Sequence, residues 1–497
     1  MVTNIFPKRS QAVGGVVGRT DPRKLLIVPV DFAKSTHVAQ IARGTGEYLR
    51  KRPLSVHNTE AGAAWLLDRV ESAAARLRVA KPNVIFGGED PPEYVWNFVL
   101  RIRAAGYQFV RVNAKEAKRQ RVNTRATSDE LDLAGIAQTI LLRRCYDIEA
   151  RDEVFAAMKR ASRSRRRLKR QETAVRNRIH RDADVLFPGF LCEKKSALPP
   201  FGEACLALMA DRFSVMRVRR MRHETLIKRL RRTGARSPED AAVRLAQLAH
   251  DALPPPPEIV PYLQKTLSAK IALLRTIRAN IAVEENEMAR ALARTSGFLL
   301  TTIPGLGVVL AGGIVAEYGD PDTWPHPDNM ASYAGIAVRS YQTGGPDVQP
   351  RSGALPSDAN RHLKDQILQA AHHTGQYPHP AWRRLGLPGQ HPLFETFRDI
   401  ELREGCSRLG TAKKLLRIAR AMVRDRQVYL PAGTLDPDSP DALSVRQYAD
   451  YLETVGEMLK RKWKSYDLDD IPEEHNHLDQ WRKTTDELIA HVRIDSN

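Results

Sequence analysis

The stretch K-L-L-I-V-P-V-D-F-A-K-S-T-H-V-A-Q-I-A, residues 24–42, decides the fold class of the first part of this chain. The stretch 24–30, apolar from Leu25 to Val30, ends in a single acid, Asp31. The length and β-branched content of the run predict a buried strand. A turn around Ala33–Ser35 and a second strand over about 36–42 complete the unit. Working outward, residues 58–80 are rich in Ala and Leu at helical spacing. P-N-V-I-F-G-G-E-D (82–90) is another apolar strand that ends in acid, residues 92–105 predict a helix, and Y-Q-F-V-R-V-N (107–113) predicts a strand. This alternation of strand and helix predicts an α/β domain.

Beyond residue 129 the pattern becomes helical. The sequence to about residue 186 has no Gly after Gly135 and no Pro, and its middle, Lys159 to Arg181, is very basic. A long helix or helix pair is expected there, broken by F-P-G-F at 187–190. Residues 200–250 are again helical and Arg-rich. A Pro run at 254–257 is a rigid break, and a second long helix follows over 258–296. The middle third therefore predicts an antiparallel helical hairpin or coiled-coil insert. T-T-I-P-G-L-G-V-V-L (301–310) opens a mainly helical C-terminal domain. Its I-P-G-L-G turn before an apolar helix is helix-hairpin-helix-like, a place where backbone N–H groups can hold a phosphate. An ordinary Gly-rich helix connection is the alternative. The expected organisation is a loose arm over 1–22, an α/β domain over 23–145, a helical coiled-coil region over 146–296, a C-terminal domain over 297–430 and a separate helical tail over 431–497.

The chain of 497 residues is 42% hydrophobic and 27% charged, with a formal net charge of +20 and a pI of about 9.9. Clustered Lys and Arg at this excess point to a polyanionic partner, because they displace counterions from phosphates. Four cysteines, Cys145, Cys192, Cys205 and Cys406, stand at no metal-ligand spacing and suit a reducing cytoplasm. The first residues do not read as a signal peptide, and no apolar run is long enough to span a membrane. A cytoplasmic, nucleoid-associated protein is the expectation.

Four carboxylates stand where a metal-dependent nuclease needs them. Asp31 and Glu89 end strands, and Asp129 and Asp132 open a helix in T-S-D-E-L-D-L-A-G. Residues three apart share a helical face, and acid at a helix start is favoured by the helix dipole. Mg²⁺, or Mn²⁺ in its place, prefers carboxylate oxygen. Two such ions can activate a nucleophile and stabilise a leaving oxygen in phosphoryl transfer. Asp90 rivals Glu89, and Asp129 could serve only as a helix-start residue. The basic residues Arg163, Arg165, Arg166, Arg167, Lys169 and Arg170 are candidate nucleic-acid contacts, as are Arg361 and Lys364. A solvated basic face is the alternative.

Over residues 24–425 the chain resembles the DEDD insertion-sequence transposases of the IS110 type, the bridge-RNA-guided recombinases. The resemblance is carried by V-P-V-D-F-A-K around Asp31, by Glu89 with Tyr94 and Trp96, and by V-R-V-N-A-K-E-A-K-R-Q-R ahead of T-S-D-E-L-D-L-A-G. The C-terminal block I-P-G-L-G-V-V-L-A-G-G-I-V-A-E-Y-G-D-P-D-T-W-P-H-P-D-N-M-A-S-Y-A-G-I-A is its most specific part. The resemblance implies an RNase H-like (RuvC-like) fold for the α/β domain and a phosphoryl-transfer enzyme that cleaves and exchanges DNA strands. It also implies a structured guide (bridge) RNA, DNA as partner, and a dimer or tetramer.

In that family a Ser from a Ser-Gly loop, just after the Y-A-G segment, attacks DNA. Here the matching position is Thr343, in Q-T-G-G; Ser352, in R-S-G, is its rival, and Ser340 lies nearby. The R-H-L-K-D-Q-I-L-Q-A-A-H-H helix (361–373) resembles the family's Asn-x-x-Leu-Arg helix. Two alternatives remain open: a RuvC-like metal-dependent nuclease such as a junction resolvase, and a non-catalytic, domesticated nucleic-acid-binding protein.

Overall fold

The computed structural model describes residues 11–89, 93–121, 128–147, 153–192, 197–321, 324, 326–337, 340–341, 351–353, 359–376, 378–387, 391–397, 399 and 407–495. The chain divides into two units, residues 1–151 and 152–497.

The first unit is a mixed sheet covered by helices on both faces. Its strands are β1 (Leu26–Asp31), β2 (Thr36–Ala39), β3 (Ala42–Arg43), β4 (Leu54–His57), β5 (Val84–Glu89), β6 (Gln108–Val112) and β7 (Tyr146–Asp147). Their order is β4-β2-β1-β5-β6-β7, with β3 also paired to β1. β1 lies between antiparallel β2 and parallel β5, and β6 runs parallel to β5. The helices are α1 (Gln11–Arg19), α2 (Glu60–Leu77), α3 (Trp96–Ala104), α4 (Ala114–Arg119) and α5 (Asp129–Leu141).

Side chains alternate across a strand, and the two cores follow that rule. Leu26, Val28, Val30, Val84 and Phe86 pack with Leu66, Val70, Phe98 and Ile102 of α2 and α3. Leu25, Ile27, Ile85 and Val110 pack with Ala117 of α4 and Ile136, Ala137 and Ile140 of α5. Gly87 permits the second of these layers to close, since a Cβ there would lie 2.5 Å from Ile140 Cδ1 and 2.9 Å from Val110 Cγ2.

Two expectations for this unit change. Residues 11–19 of the expected loose arm form α1, whose Val16 and Val17 pack on the α5-side core. The Gly-rich sequence concealed that apolar stripe. The expected long helix from residue 129 is interrupted: α5 ends at Leu141, and Tyr146–Asp147 pairs with β6 before helix resumes. Backbone pairing to an existing strand edge decides this, with no Gly or Pro to mark it. β4, unread in the sequence, pairs antiparallel with β2.

The second unit is mostly helical. It contains α6 (Glu153–Leu186), α7 (Glu203–Ala210), α8 (Val215–Arg219), α9 (His223–Arg232), α10 (Pro238–Asp251) and α11 (Val260–Ala293). It continues with α12 (Val308–Tyr318), α13 (Pro327–Ala334), α14 (Arg361–His373), α15 (Arg408–Asp425), α16 (Val445–Trp463) and α17 (His477–Asp495). A short hairpin pairs β8 (Ser340–Tyr341) with β9 (Arg351–Ser352).

α6 and α11 are antiparallel partners of 34 residues each. Ser164 bonds Glu284, Arg165 bonds Glu285, Glu172 meets Arg278 and Asp182 meets Lys270, so the polar partners run in opposite directions along the two helices. Past their far ends, α7–α10 enclose a core of Phe187, Phe190, Phe213 and Leu245. Their other ends enter a larger core with α12, α14, α15, α16 and α17.

The tail expected to be separate is part of that larger core. Tyr451, Leu459 and Trp463 are buried in it. The Tyr451 hydroxyl donates to the Tyr429 carbonyl. Lys462 Nζ donates to the carbonyls of Thr301 at 2.5 Å and Leu306 at 2.7 Å. The I-P-G-L-G turn is consequently a packing element: Ile303 and Leu306 are buried, Lys462 holds its carbonyls, and a Cβ on Gly305 would lie 2.2 Å from the His373 carbonyl. Gly305 also has φ +81°, which favours glycine.

Candidate active site: carboxylates at the carboxyl edge of the sheet

Because β1 and β5 are parallel with Val30 opposite Gly88, the next residues, Asp31 and Glu89, end neighbouring strands at the same edge. Neighbouring strands lie about 4.8 Å apart. Both acids continue the odd-numbered series Ile27 and Ile85, which faces α5. On the opposite face the ring of Phe32 covers Gly88, where a Cβ would lie 2.5 Å from Phe32 Cε2. Phe32 stacks on Phe109, and His37 packs edge-on to Phe32 and Phe98. The Ala33 amide donates to His37 Nδ1 at 3.3 Å, which fixes the turn directly after Asp31.

The third and fourth acids come from α5. Ser128 caps it by accepting from the Leu131 amide at 3.3 Å. Asp129, Glu130 and Asp132 fill its first turn.

The electrostatics bind these positions into one group. Burial raises the Asp31 pKa, and the negative charges of Asp132 and Asp129 raise it further. Burial also raises the Glu89 pKa, followed by the charges of Asp31 and Asp132. The Arg121 guanidinium opposes both shifts and forms an ion pair with Asp132. Like charges gathered with too little compensation are the pattern that a bound cation relieves.

The donors are all oxygen, which suits Mg²⁺ or Mn²⁺. Among the described residues, no three His, Cys, Asp or Glu side chains converge closely enough to hold an ion. The four carboxylates are within electrostatic reach in an open arrangement. Their oxygen chemistry fits such an ion. Asp90 lies outside the described residues.

Of the hydroxyl candidates, Thr343 lies outside the described residues. Ser352 belongs to β9, with its backbone directly opposite Ser340 of β8. The hairpin is followed by Asn360, which caps α14 by accepting from the amides of His362 and Leu363. Asn360 Nδ2 also donates to Glu317 at 2.8 Å and to the Tyr333 hydroxyl at 2.9 Å.

The basic residues of α6 divide into two sets. Arg163 grips Glu317 with two bonds of 2.8 and 3.0 Å. Arg165 pairs with Glu285, Arg166 with Asp365, and Lys169 with Glu172. Arg167 and Arg170 are exposed, as is Arg361; Lys364 is half-buried. Sequence reading missed Arg121 and His37. The local sequence marks neither, since one is a single cation in a basic stretch and the other a strand residue.

Two sequence profiles match the chain. One, described as a DEDD transposase of IS110, covers residues 28–188; the other, described as transposase of the IS116/IS110/IS902 family, covers residues 298–385. A 43.6 kDa uncharacterized protein of insertion element IS110 from Streptomyces coelicolor is 27% identical over 185 residues. That match covers 35% of this chain and 40% of the relative. The class is thus an insertion-sequence protein with an acidic α/β unit and a largely helical remainder. The chain belongs to the IS110 family of transposases. No helix among the described residues is long and apolar enough to cross a membrane.

Proposed function

We propose that this protein is a divalent-metal-dependent DNA transposase that cleaves and exchanges the strands of an insertion sequence. The observation that carries the reading is the parallel register of β1 and β5. It sets Asp31 and Glu89 side by side, on the face shared with the acidic start of α5. The order β4-β2-β1-β5-β6, with β5 and β6 parallel to a central β1, supports an RNase H-like (RuvC-like) assignment.

In this reading Asp31, Glu89, Asp129 and Asp132 hold Mg²⁺ or Mn²⁺. The ion, when bound, supplies Lewis-acid polarisation of a scissile phosphate and stabilises charge on a leaving oxygen. Burial of Asp31 and Glu89 strengthens their hold on a cation, because the protein around them screens charge less than water does. The hydroxyl of Thr343 or Ser352 is the nucleophile, and the ester it forms with DNA conserves the phosphodiester energy for rejoining. Arg167, Arg170, Arg361 and Lys364 neutralise phosphates of DNA or of a structured guide RNA. Arg163, Arg165, Arg166 and Lys169 act one step back, since they are held by acids of the chain. A homo-oligomer working on DNA in the cytoplasm completes the proposal.

The test is incubation of the protein with labelled duplex carrying the element's ends, with and without Mg²⁺. Metal-dependent cleavage with a protein–DNA adduct supports the reading. Thr343→Ala and Ser352→Ala, made separately, should identify the hydroxyl by loss of the adduct. Cleavage retained in both variants and in their combination favours a junction-resolving nuclease. Absence of cleavage with any metal favours a domesticated binding protein.

A further inference from the structure

Among the described residues, a side chain of the protein itself brings positive charge to these carboxylates. Arg121 follows α4, and its side chain is 9% exposed. The route it takes is cut by Gly135, one turn beyond Asp132 on α5. A Cβ on Gly135 would stand 3.1 Å from Arg121 Cγ and 2.4 Å from the Ala117 carbonyl, so the Arg121 stem crosses α5 where a larger residue would block it. The guanidinium reaches Asp132 as an ion pair and moderates the charge of Asp31 and Glu89. Its setting is otherwise poor. Arg121 Nε is buried without a hydrogen bond, while a terminal guanidinium nitrogen lies against Asp132 Oδ1. The start of a helix also disfavours a cation. A buried guanidinium with an unused donor, beside a helix N-terminus, is there because the acids around it need positive charge.

We infer that Arg121 is a built-in stand-in for the divalent ion, holding the acidic group together without metal and giving up Asp132 when metal binds. This rests on the reading of the acids as a metal site. Two consequences follow. The chain can fold its acidic edge before any metal arrives, and metal must displace a bonded cation, which weakens its apparent affinity. Arg121 is a positioning residue by this account, since it acts through Asp132.

The test is Mn²⁺ binding to the full-length protein, by calorimetry or by the loss of the free-ion electron spin resonance signal. It is run on wild type, Arg121→Ala, Arg121→Gln, Arg121→Lys and Asp31→Asn, with circular dichroism to confirm folding. Arg121→Ala and Arg121→Gln should bind Mn²⁺ roughly tenfold or more tightly than wild type, because a unit charge a few ångström away is worth at least that factor at protein-like screening. Arg121→Lys should stay within about threefold of wild type, since it keeps the charge. Without metal, Arg121→Ala should unfold at a lower temperature than wild type, and saturating Mn²⁺ should close most of that gap.

Unchanged or weaker binding in both neutral variants, with wild-type binding that Asp31→Asn abolishes, overturns the stand-in role and leaves the metal site intact. If wild type and both neutral variants bind no Mn²⁺, the metal-site reading fails and takes this inference with it. Binding in the neutral variants alone supports the displacement in its strongest form.

Discussion

Two carboxylate sites in this chain, one buried and one half-buried, face the same physical problem and solve it in opposite ways. Glu317, on α12, is 3% exposed. It accepts from Arg163 twice and from Asn360, and Lys159 stands 3.6 Å away. Burial works to raise its pKa, but those hydrogen bonds and charges bring it below the ordinary carboxylate value. At the sheet edge, Asp31 and Glu89 are raised by burial and by each other's neighbours, with Arg121 the opposing cation. A satisfied carboxylate knits α6, α12 and α14 together. Among the described residues the sheet-edge acids have less compensation than Glu317, which is the charge pattern the proposed metal site would use.

The contrast is sharpest if the two sites are disabled in turn. Asp31→Asn should lower metal-dependent DNA cleavage by about a thousandfold or more, measured in single-turnover assays, while the unfolding midpoint stays level or rises. A clear loss of stability would assign Asp31 the structural role given to Glu317.

Glu317→Gln should act the other way. Removing one partner of a buried ion pair costs about 3–5 kcal/mol, read by chemical denaturation. The cost should depend on pH. Because the folded pKa is depressed, Glu317's contribution is complete above the unfolded carboxyl value of about 4.5 and is lost as pH falls through the lower folded value. The gap between wild type and Glu317→Gln should therefore narrow as pH falls below about 4.5. A constant gap would mean that Glu317 acts by packing and not by charge.

A smaller effect tests whether the tail belongs to the same structure as Glu317. Tyr451→Phe deletes the bond to the Tyr429 carbonyl and should cost about 1 kcal/mol. Its unfolding should remain one transition with that of α12 and α14. A separate, early transition for the tail would divide the larger core.

The least change is expected from the exposed set of basic residues. Arg167→Ala with Arg170→Ala should lower the salt dependence of DNA or RNA binding by about one to two units of slope and leave cleavage chemistry intact. Replacing the ion-paired Arg165 by Ala should leave that slope unchanged. Equal slopes for both sets would erase the distinction drawn between them.

Much of this was legible beforehand, and the reason is periodicity. Apolar strands ending in acid at Asp31 and Glu89, and an acidic helix start after Ser128, have local signals that neighbours do not alter. The helical pair α6 and α11 was marked by length and by the Pro breaks around it. The hidden parts depend on distant partners. β7 forms because β6 offers an edge, α1 because a sheet face needs covering, and α16 is core because Lys462 and Tyr451 find carbonyls far off in sequence. The basic stretch of α6 reads as one surface in sequence, and only its partners on α11, α12 and α14 divide it.

The sequence by itself determined the strands that end in Asp31 and Glu89, the acidic helix start after Ser128, the long helices α6 and α11, the basic excess and the family. Each is a matter of residue type and short-range spacing. The tertiary structure decided which charges are spent. It shows Arg163 committed to Glu317, and Arg121 as the cation that opposes the raised pKa values of Asp31 and Glu89 among the described residues. Compensation between charges depends on distance through space and on exclusion of water, and neither is written in the order of residues along the chain.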